Sequence, residues 1–283
     1  MINHFVPKNL KEALAILNEH DCYIMNGGTD LMVQKHVSTN VLPRFDKDVL
    51  YINNIKELDY IKKDEEGIHI GGSTRYIEIE NSLIIPYIYK RVISEIASPN
   101  IRNMATLAGN IGNASPAGDS LVPLVLNDDE VVLTSVNGSR RMLVSEFIYG
   151  VRKIHRETNE LITEIIIKPT NLSYFYRKVG SRKSESITKV SFLGGVKVEK
   201  NIIKDFRVAF GSVAIKTVRN RDIENKYIGK KVDELDVNEI VNDYAPLVTP
   251  ITDQRSNKEY RHKVAMNLLK KFINDIKEGG NNE

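Results

Sequence analysis

The chain has 283 residues, 41% of them hydrophobic, and 40 Lys+Arg against 37 Asp+Glu give a formal net charge of +3. That composition excludes wholesale disorder, which needs low hydrophobicity with high net charge. The near-balance of charge argues against a dedicated nucleic-acid binder. A single cysteine, Cys22, excludes an intrachain disulfide and any iron–sulfur cluster held wholly by this chain's own thiolates.

From Pro7 the residues Leu10, Ala13, Leu14 and Leu17 recur at helical spacing, and the pattern stops near His20. A strand, Tyr23-Ile24-Met25, runs into Asn26-Gly27-Gly28-Thr29-Asp30, after which Leu31-Met32-Val33 reads as a helix. Residues 49–52 read as a strand and 55–58 as a short helical turn. Residues 60–61 and 68–70 read as a hairpin across Asp64-Glu65-Glu66-Gly67. Thr74 is expected to cap the next helix, with Ile77 on its buried side, and residues 87–96 form a further helix. Residues 97–120 break the pattern: 15 of the 24 are Ala, Ser, Asn or Gly, and Arg102 and Asp119 are the only charges. The segment reads as tightly packed turns whose backbone approaches something closely. Residues 130–135 and 140–144 form strands around the turn at Asn137-Gly138, and 161–168 forms another, closed by Pro169. After the aromatic and basic run Tyr174-Phe175-Tyr176-Arg177-Lys178, residues 190–199 and 202–212 read as antiparallel strands. Residues 219–276 read as helices, and 279–283 as a frayed tail.

The opening MINHFVPKNLKEALAIL lacks the basic segment and continuous apolar run of a secretory signal. The longest apolar stretches, Leu121–Leu126 and Ile165–Ile167, fall far short of the roughly 20 residues of a membrane helix. A cytoplasmic protein with no membrane span is expected. No two of the six histidines stand at ligand spacing, and HExxH and CxxC are absent, so a metal site is not expected. There is no G-x-S-x-G elbow, no GxxxxGK[ST] loop, and no GxGxxG after a strand, which leaves hydrolysis and Rossmann-type nucleotide binding without support.

Two Gly/Asn/Thr turns remain, residues 26–30 and 106–110. Each offers consecutive backbone N–H groups with little side-chain bulk, the form of an anion-binding concavity. Either alone reads more readily as a tight turn with no ligand. The pair, joined to the charge-depleted segment, points to a dinucleotide cofactor.

These residues resemble the FAD-binding (medium) subunit of the molybdenum hydroxylases, the group of xanthine, carbon monoxide and nicotinate dehydrogenases. The resemblance covers essentially the whole chain. Asn26-Gly27-Gly28-Thr29-Asp30-Leu31 is similar to the family's first pyrophosphate loop, A-G-G-T-D-L. Residues Ile101 to Ile111 are similar to its second, I-R-N-x-A-T-x-G-G-N-I. Ser115, Pro116 and Asp119 match the S-P-x-x-D stretch, residues 176–182 the Y-x-K-x-x-x-R signature, and Tyr260-Arg261 the late Y-R. Ala108 departs from the usual first glycine of the second loop, which is tolerable where φ is negative and costly where it is positive; Asn26 replaces a small apolar residue.

The resemblance implies an α+β protein. A PCMH-type FAD-binding domain of two α/β subdomains (1–170, divided at about 55) precedes a C-terminal domain of antiparallel sheet and helices (171–283). It implies non-covalent FAD held by Met25, Asn26, Gly27, Gly28, Thr29, Asp30 and Leu31, and by Thr106, Gly109 and Asn110. The loop amides, those of Gly109 and Asn110 included, would take the pyrophosphate. Asp119 would accept from a ribose hydroxyl, Lys178 would stand at the pyrimidine end of the flavin, and Ile187 would pack beside the ring. Arg102 would anchor the second loop through salt bridges. No residue of this chain is expected to be catalytic. The molybdenum cofactor and the 2Fe–2S clusters would belong to a large and a small partner subunit. Electrons would pass from those clusters through FAD to an external acceptor such as NAD, in a dimer of heterotrimers oxidising a purine or another N-heterocycle. Two other readings stay open: a self-sufficient flavin oxidoreductase of the vanillyl-alcohol oxidase superfamily, which would need a substrate-binding and acid/base constellation that this sequence does not display, and a non-enzymatic interaction subunit that has lost its flavin, for which Ala108 is the only sign.

Overall fold

The computed structural model describes residues 2–38, 41–183 and 185–279; the tail expected from 279 lies, beyond Gly279 itself, outside them. The chain begins with β1 (His4–Phe5), α1 (Leu10–Glu19), β2 (Cys22–Met25), α2 (Leu31–Lys35) and β3 (Asp48–Tyr51). Then follow β4 (Ile61–Lys63), β5 (Ile68–Gly71), α3 (Tyr76–Asn81), α4 (Tyr87–Ser94), α5 (Pro99–Arg102), α6 (Leu107–Asn113) and α7 (Leu121–Leu126). Next are β6 (Glu130–Ser135), β7 (Gly138–Leu143), α8 (Val144–Phe147), β8 (Ile148–Gly150), β9 (Lys153–Ile154) and β10 (Leu161–Ile167). The last part holds β11 (Ser173–Val179), β12 (Val190–Glu199), β13 (Ile202–Gly211), α9 (Arg221–Asn225), α10 (Val237–Tyr244) and α11 (Lys258–Lys277).

These elements divide into two compact units that the chain enters more than once. The first is Met1–Pro86, Ala97–Ala114 and Asp129–Pro169; the second is Tyr87–Ile96, Ser115–Asp128 and Thr170–Glu283. Both mix helix and sheet, in keeping with the expected α+β class.

The first unit holds a three-stranded parallel sheet in the order β1-β3-β2 and a five-stranded antiparallel sheet in the order β4-β5-β10-β6-β7. Helix α1 starts where the Asn9 side chain accepts from the Glu12 amide at 2.9 Å, an N-cap that satisfies an otherwise orphaned donor. It buries Ala13, Leu14 and Leu17 in a core shared with Cys22, Leu50 and Leu58. Strand β10 shifts register against β6 between Ile162 and Glu164, and the Gly72 amide donates to Thr163 O at 2.8 Å. That irregularity lies beside the cavity described below.

Three sequence expectations are corrected here. Thr74 does not cap α3: its hydroxyl is spent across the hairpin, donating to Tyr60 O at 3.0 Å, and Glu78 caps the helix by accepting from the Arg75 amide at 2.8 Å. Ile77 is only half-buried, and Tyr76 and Ile79 face the core instead. The segment 97–120 is not a run of turns, since it contains α5 and α6, started by Ser98 and Thr106 as N-caps. Arg102 does anchor this segment, pairing with Glu80 at 2.9 Å and donating to Ala97 O at 3.2 Å.

The second unit is built on the antiparallel sheet β11-β12-β13. Helix α11 lays Ala265, Leu269, Phe272 and Ile276 along one stripe, the i, i+3, i+4 spacing of an amphipathic helix. Phe272 stacks among Phe175, Phe192 and Phe206 with ring centroids 5.7–6.2 Å apart. The six residues of α7 are all buried, and the helix packs on β12 and β13.

Asp128 accepts from Arg219 at 2.7 Å and from Arg221. Burial would raise the Asp128 pKa, but the hydrogen bonds and charges of Arg221 and Arg219 outweigh it and hold the carboxyl below its usual value. A depressed folded-state pKa gives stability that is full above the unfolded value of about 4 and is lost as pH falls through the folded one. Asp128→Asn is therefore expected to be less stable than the parent chain at pH 6, with the gap closing below about pH 4. Urea midpoints measured from pH 6 down to pH 3 check this.

Candidate functional site

Strand β2 delivers the chain into the first glycine turn. Asn26 lines the cavity described below, and its side-chain amide donates to Gly72 O at 2.9 Å, tying the turn to the end of β5. Gly27 lies so close to the second loop that a Cβ there would stand 1.9 Å from Met104 O. Gly28 has φ +68°, the left-handed region that a residue with a Cβ enters only with strain. Met25 is buried beneath the turn, with its sulfur on Gly28, and does not line the cavity.

The second loop is the start of a helix. Thr106 is the N-cap of α6, and its Oγ1 accepts from the Gly109 amide at 3.0 Å. The Asn110 amide donates to Thr106 O at 3.1 Å. This corrects the expectation that the Gly109 and Asn110 amides are free for an anion, because the helix uses both. The amides of Leu107 and Ala108, in the first helical turn, have no intrahelical acceptor. The sequence signal that could have found them is the Thr-x-x-Gly spacing from the Thr106 cap. Ala108 is buried, and its φ is not positive, so the methyl that replaces the family's glycine imposes no backbone strain. Thr106 keeps its hydroxyl proton to donate, and the Asn110 Oδ1 atom is buried without a partner among the described residues.

Both loops line one cavity of about 440 Å³ within the first unit, a size usual for small-molecule sites. Gly27, Gly28, Thr29, Asp30 and Leu31 stand on its wall with Thr106, Gly109 and Asn110. Three cations, Lys47, Arg152 and Arg156, also line it, against Asp30 as the one acidic residue among the lining residues. Arg152 closes a clasp at the rim. Its Nη1 donates to Asn113 Oδ1 at 2.6 Å and to Asp30 Oδ2 at 3.2 Å, and Gln34 bonds the same two acceptors. The Arg152 amide donates to Ala114 O at 3.0 Å, so the clasp joins the start of α2 to the end of α6.

Asp119, Lys178 and Ile187 belong to the second unit. Lys178 Nζ and Asp119 Oδ2 form an ion pair at 2.9 Å, with 7% and 6% of the two side chains exposed. The Thr188 hydroxyl reaches both Asp119 oxygens, at 2.6 and 2.8 Å, and Lys178 donates to Glu95 O at 2.7 Å. Asp119 does not cap α7. Its carboxylate retains acceptor capacity and the ammonium one donor. Tyr176 lies nearby with its hydroxyl buried and unpartnered among the described residues. Burial and the charges of Asp119 and Glu95 push its pKa well above the usual value. Ile187 is 53% exposed and so is not core packing. Thr188, Arg152 and Arg156 carried no local sequence signal.

The cavity wall fits a dinucleotide: glycines where side chains would collide, a cationic lining, a free hydroxyl donor and an orphaned buried acceptor. Comparison with known proteins supplies the class. Residues 1–170 match the family described as the FAD binding domain in molybdopterin dehydrogenase, and residues 175–276 match the CO dehydrogenase flavoprotein C-terminal domain. The chain belongs to the FAD-binding subunits of the molybdenum hydroxylases.

The chain is 30% identical to the glyceraldehyde dehydrogenase medium chain of Sulfolobus acidocaldarius over 276 residues, covering 95% of this chain and 96% of that one. It is 36% identical over 212 residues to the nicotinate dehydrogenase FAD-subunit of Eubacterium barkeri, covering 69% and 68%. The fold matches that in reconstituted CO dehydrogenase from Oligotropha carboxidovorans with a TM-score of 0.87 at 21% identity, covering 98% of each chain. Among the described residues no helix is long and apolar enough to cross a membrane.

Proposed function

We propose that this chain is the electron-transfer subunit of a cytoplasmic molybdenum hydroxylase whose molybdenum cofactor and 2Fe–2S clusters belong to a large and a small partner subunit. When bound, FAD would take electrons that come from those clusters and give them to an external acceptor such as NAD. The observation that carries the reading is the single cavity onto which the two glycine-bearing loops and three cations converge. A lone cysteine, buried in the core, agrees with clusters that belong elsewhere.

The residue roles follow from this reading. The turn amides from Gly27 to Asp30, with the Ala108 amide and the Thr106 hydroxyl, would hold the pyrophosphate. Leu31 would pack against it, and Asn110 Oδ1 would accept from a cofactor hydroxyl or amine. Asp119 and Lys178, already paired, would spend their remaining acceptor and donor capacity on the ribityl or ribose hydroxyls and the flavin edge. Ile187 would cover the ring. Residues 1–170 and 171–283 are the proposed domains by sequence family, while the compact units interleave across that boundary, the second taking in Tyr87–Ile96 and Ser115–Asp128. A dimer of heterotrimers and an N-heterocyclic substrate complete the reading; the nicotinate dehydrogenase relative supports that substrate class.

A visible absorption spectrum of the purified chain, followed by acid precipitation, tests it. A flavin band whose colour enters the supernatant as FAD is expected. A colourless chain that takes up no added FAD would overturn the reading, and colour retained in the pellet would overturn the non-covalent attachment.

The clasp gives a smaller effect. The Arg152 and Asp30 side chains are 47% and 49% exposed, so the network contributes about 1 kcal/mol. Arg152→Ala is expected to weaken FAD binding about fivefold, read by flavin fluorescence titration.

A further inference from the structure

Arg156 lines the cavity, on the short connection between β9 and β10. Its Nη1 donates to the backbone carbonyls of Glu160 at 2.7 Å, Glu157 at 3.1 Å and Thr158 at 3.3 Å. The Nε and Nη2 donors have no protein partner among the described residues, and no described carboxylate lies within ion-pair distance.

Two acidic residues act on Arg156 through space, Asp21 and Glu160. Each is committed to another cation. Asp21 pairs with Lys47 at 2.8 Å, and Glu160 pairs with Arg140 through two bonds of 2.6 and 2.8 Å. Burial pulls the Arg156 guanidinium below its ordinary pKa. A cation removed from water without a paired charge is costly, and a ligand with acceptor groups in the cavity relieves that cost. The cavity lining also suits a purine nucleotide, since it includes Cys22, Tyr23 and Ile24 of β2, the edge strand of its sheet. An edge strand presents backbone donors and acceptors that no neighbouring strand uses.

We infer that Arg156 contacts the adenosine 5′-phosphate half of FAD through its free guanidinium edge and so makes this chain prefer FAD to FMN. The inference rests on the cavity being the FAD site. In that site the glycine turns take the pyrophosphate, and Lys178 and Ile187, proposed for the flavin edge, are not among the residues that line the cavity. The AMP half is what remains for this wall. A planar guanidinium whose other edge is fixed by three carbonyls meets such a ligand with little further loss of freedom.

The test is isothermal titration of the full chain, stripped of flavin, with FAD, FMN and AMP. Arg156→Ala is expected to raise the FAD Kd by about tenfold or more, as for loss of a charge-assisted hydrogen bond. The FMN Kd should stay unchanged and AMP binding should disappear. Arg156→Lys should fall between, and Arg156→Gln, which keeps donors for the carbonyls, should show the same FAD-selective loss if Arg156→Ala folds poorly. An FAD Kd within twofold of the parent chain, or an equal loss for FMN, would overturn the inference and leave the cavity assignment standing. A parent chain that binds no FAD would overturn both.

Discussion

Gly27→Ala is expected to bind FAD about a hundredfold more weakly than the parent chain and to melt several degrees lower. The added methyl would stand 1.9 Å from Met104 O and 2.6 Å from Met104 C, both backbone atoms. A flexible side chain would swing aside, but a carbonyl fixed in the α5–α6 connection cannot. The two loops must separate, and the positions of both sets of amides move with them. Overpacking of a tight site typically costs about 1–3 kcal/mol, and the backbone contact places this case at the upper end. About 3 kcal/mol taken from the bound state is somewhat more than a hundredfold in affinity. Flavin fluorescence titration and a thermal melt of the flavin-free chain measure the two parts. Binding within threefold of the parent would mean that the close approach is not needed to hold the cofactor.

The second large effect concerns stability. Asp119→Ala is expected to cost about 3–5 kcal/mol, the range for removing one partner of a buried ion pair. The Lys178 ammonium would be left with the Glu95 carbonyl, and the Thr188 hydroxyl would lose both its acceptor contacts. Much of that cost is the stranded charge. The double variant Asp119→Ala/Lys178→Met should therefore regain a large part of it, because replacing a buried pair by apolar groups is often neutral. Urea denaturation with unchanged m-value measures it. A loss below 1 kcal/mol would mean that the pair is hydrated rather than buried in solution.

The sequence made legible whatever local pattern determines. Helix α1, the turn after β2, the hairpin β4–β5 and the long ribbon β12–β13 each announce themselves by apolar period or turn residues. The glycine turn was legible as a close approach, although not what it approaches: Met104 lies far along the chain. The segment 97–120 was misread because α5 and α6 are too short for a helical period to appear. They are defined by their caps, Ser98 and Thr106, in a stretch rich in poor helix formers. The same misreading hid the fact that Gly109 and Asn110 spend their amides inside a helix. Strands β8 and β9, of three and two residues, carry too little pattern to register. The clasp and the buried pair were invisible for a different reason: Arg152 meets Asp30, and Thr188 meets Asp119, across separations of 122 and 69 residues. Long-range partners of that kind are set by topology and leave no local trace.

The order in which the chain visits its two units bears on how it must be made. Helix α7 is apolar throughout, and the strands that cover it, β12 and β13, come later in the chain. On a ribosome adding about 5–20 residues per second, that helix waits for seconds without its partners. The last stretch of the first unit, Asp129–Pro169, is synthesised within that interval. The nascent chain thus carries an unsatisfied sticky segment while an unrelated part of it matures. Fragments cut at 170 would inherit the same defect permanently, one with α4 and α7 orphaned and the other with a sheet lacking its cover. The halves of this protein, cut at 170, should therefore be recoverable only when made together.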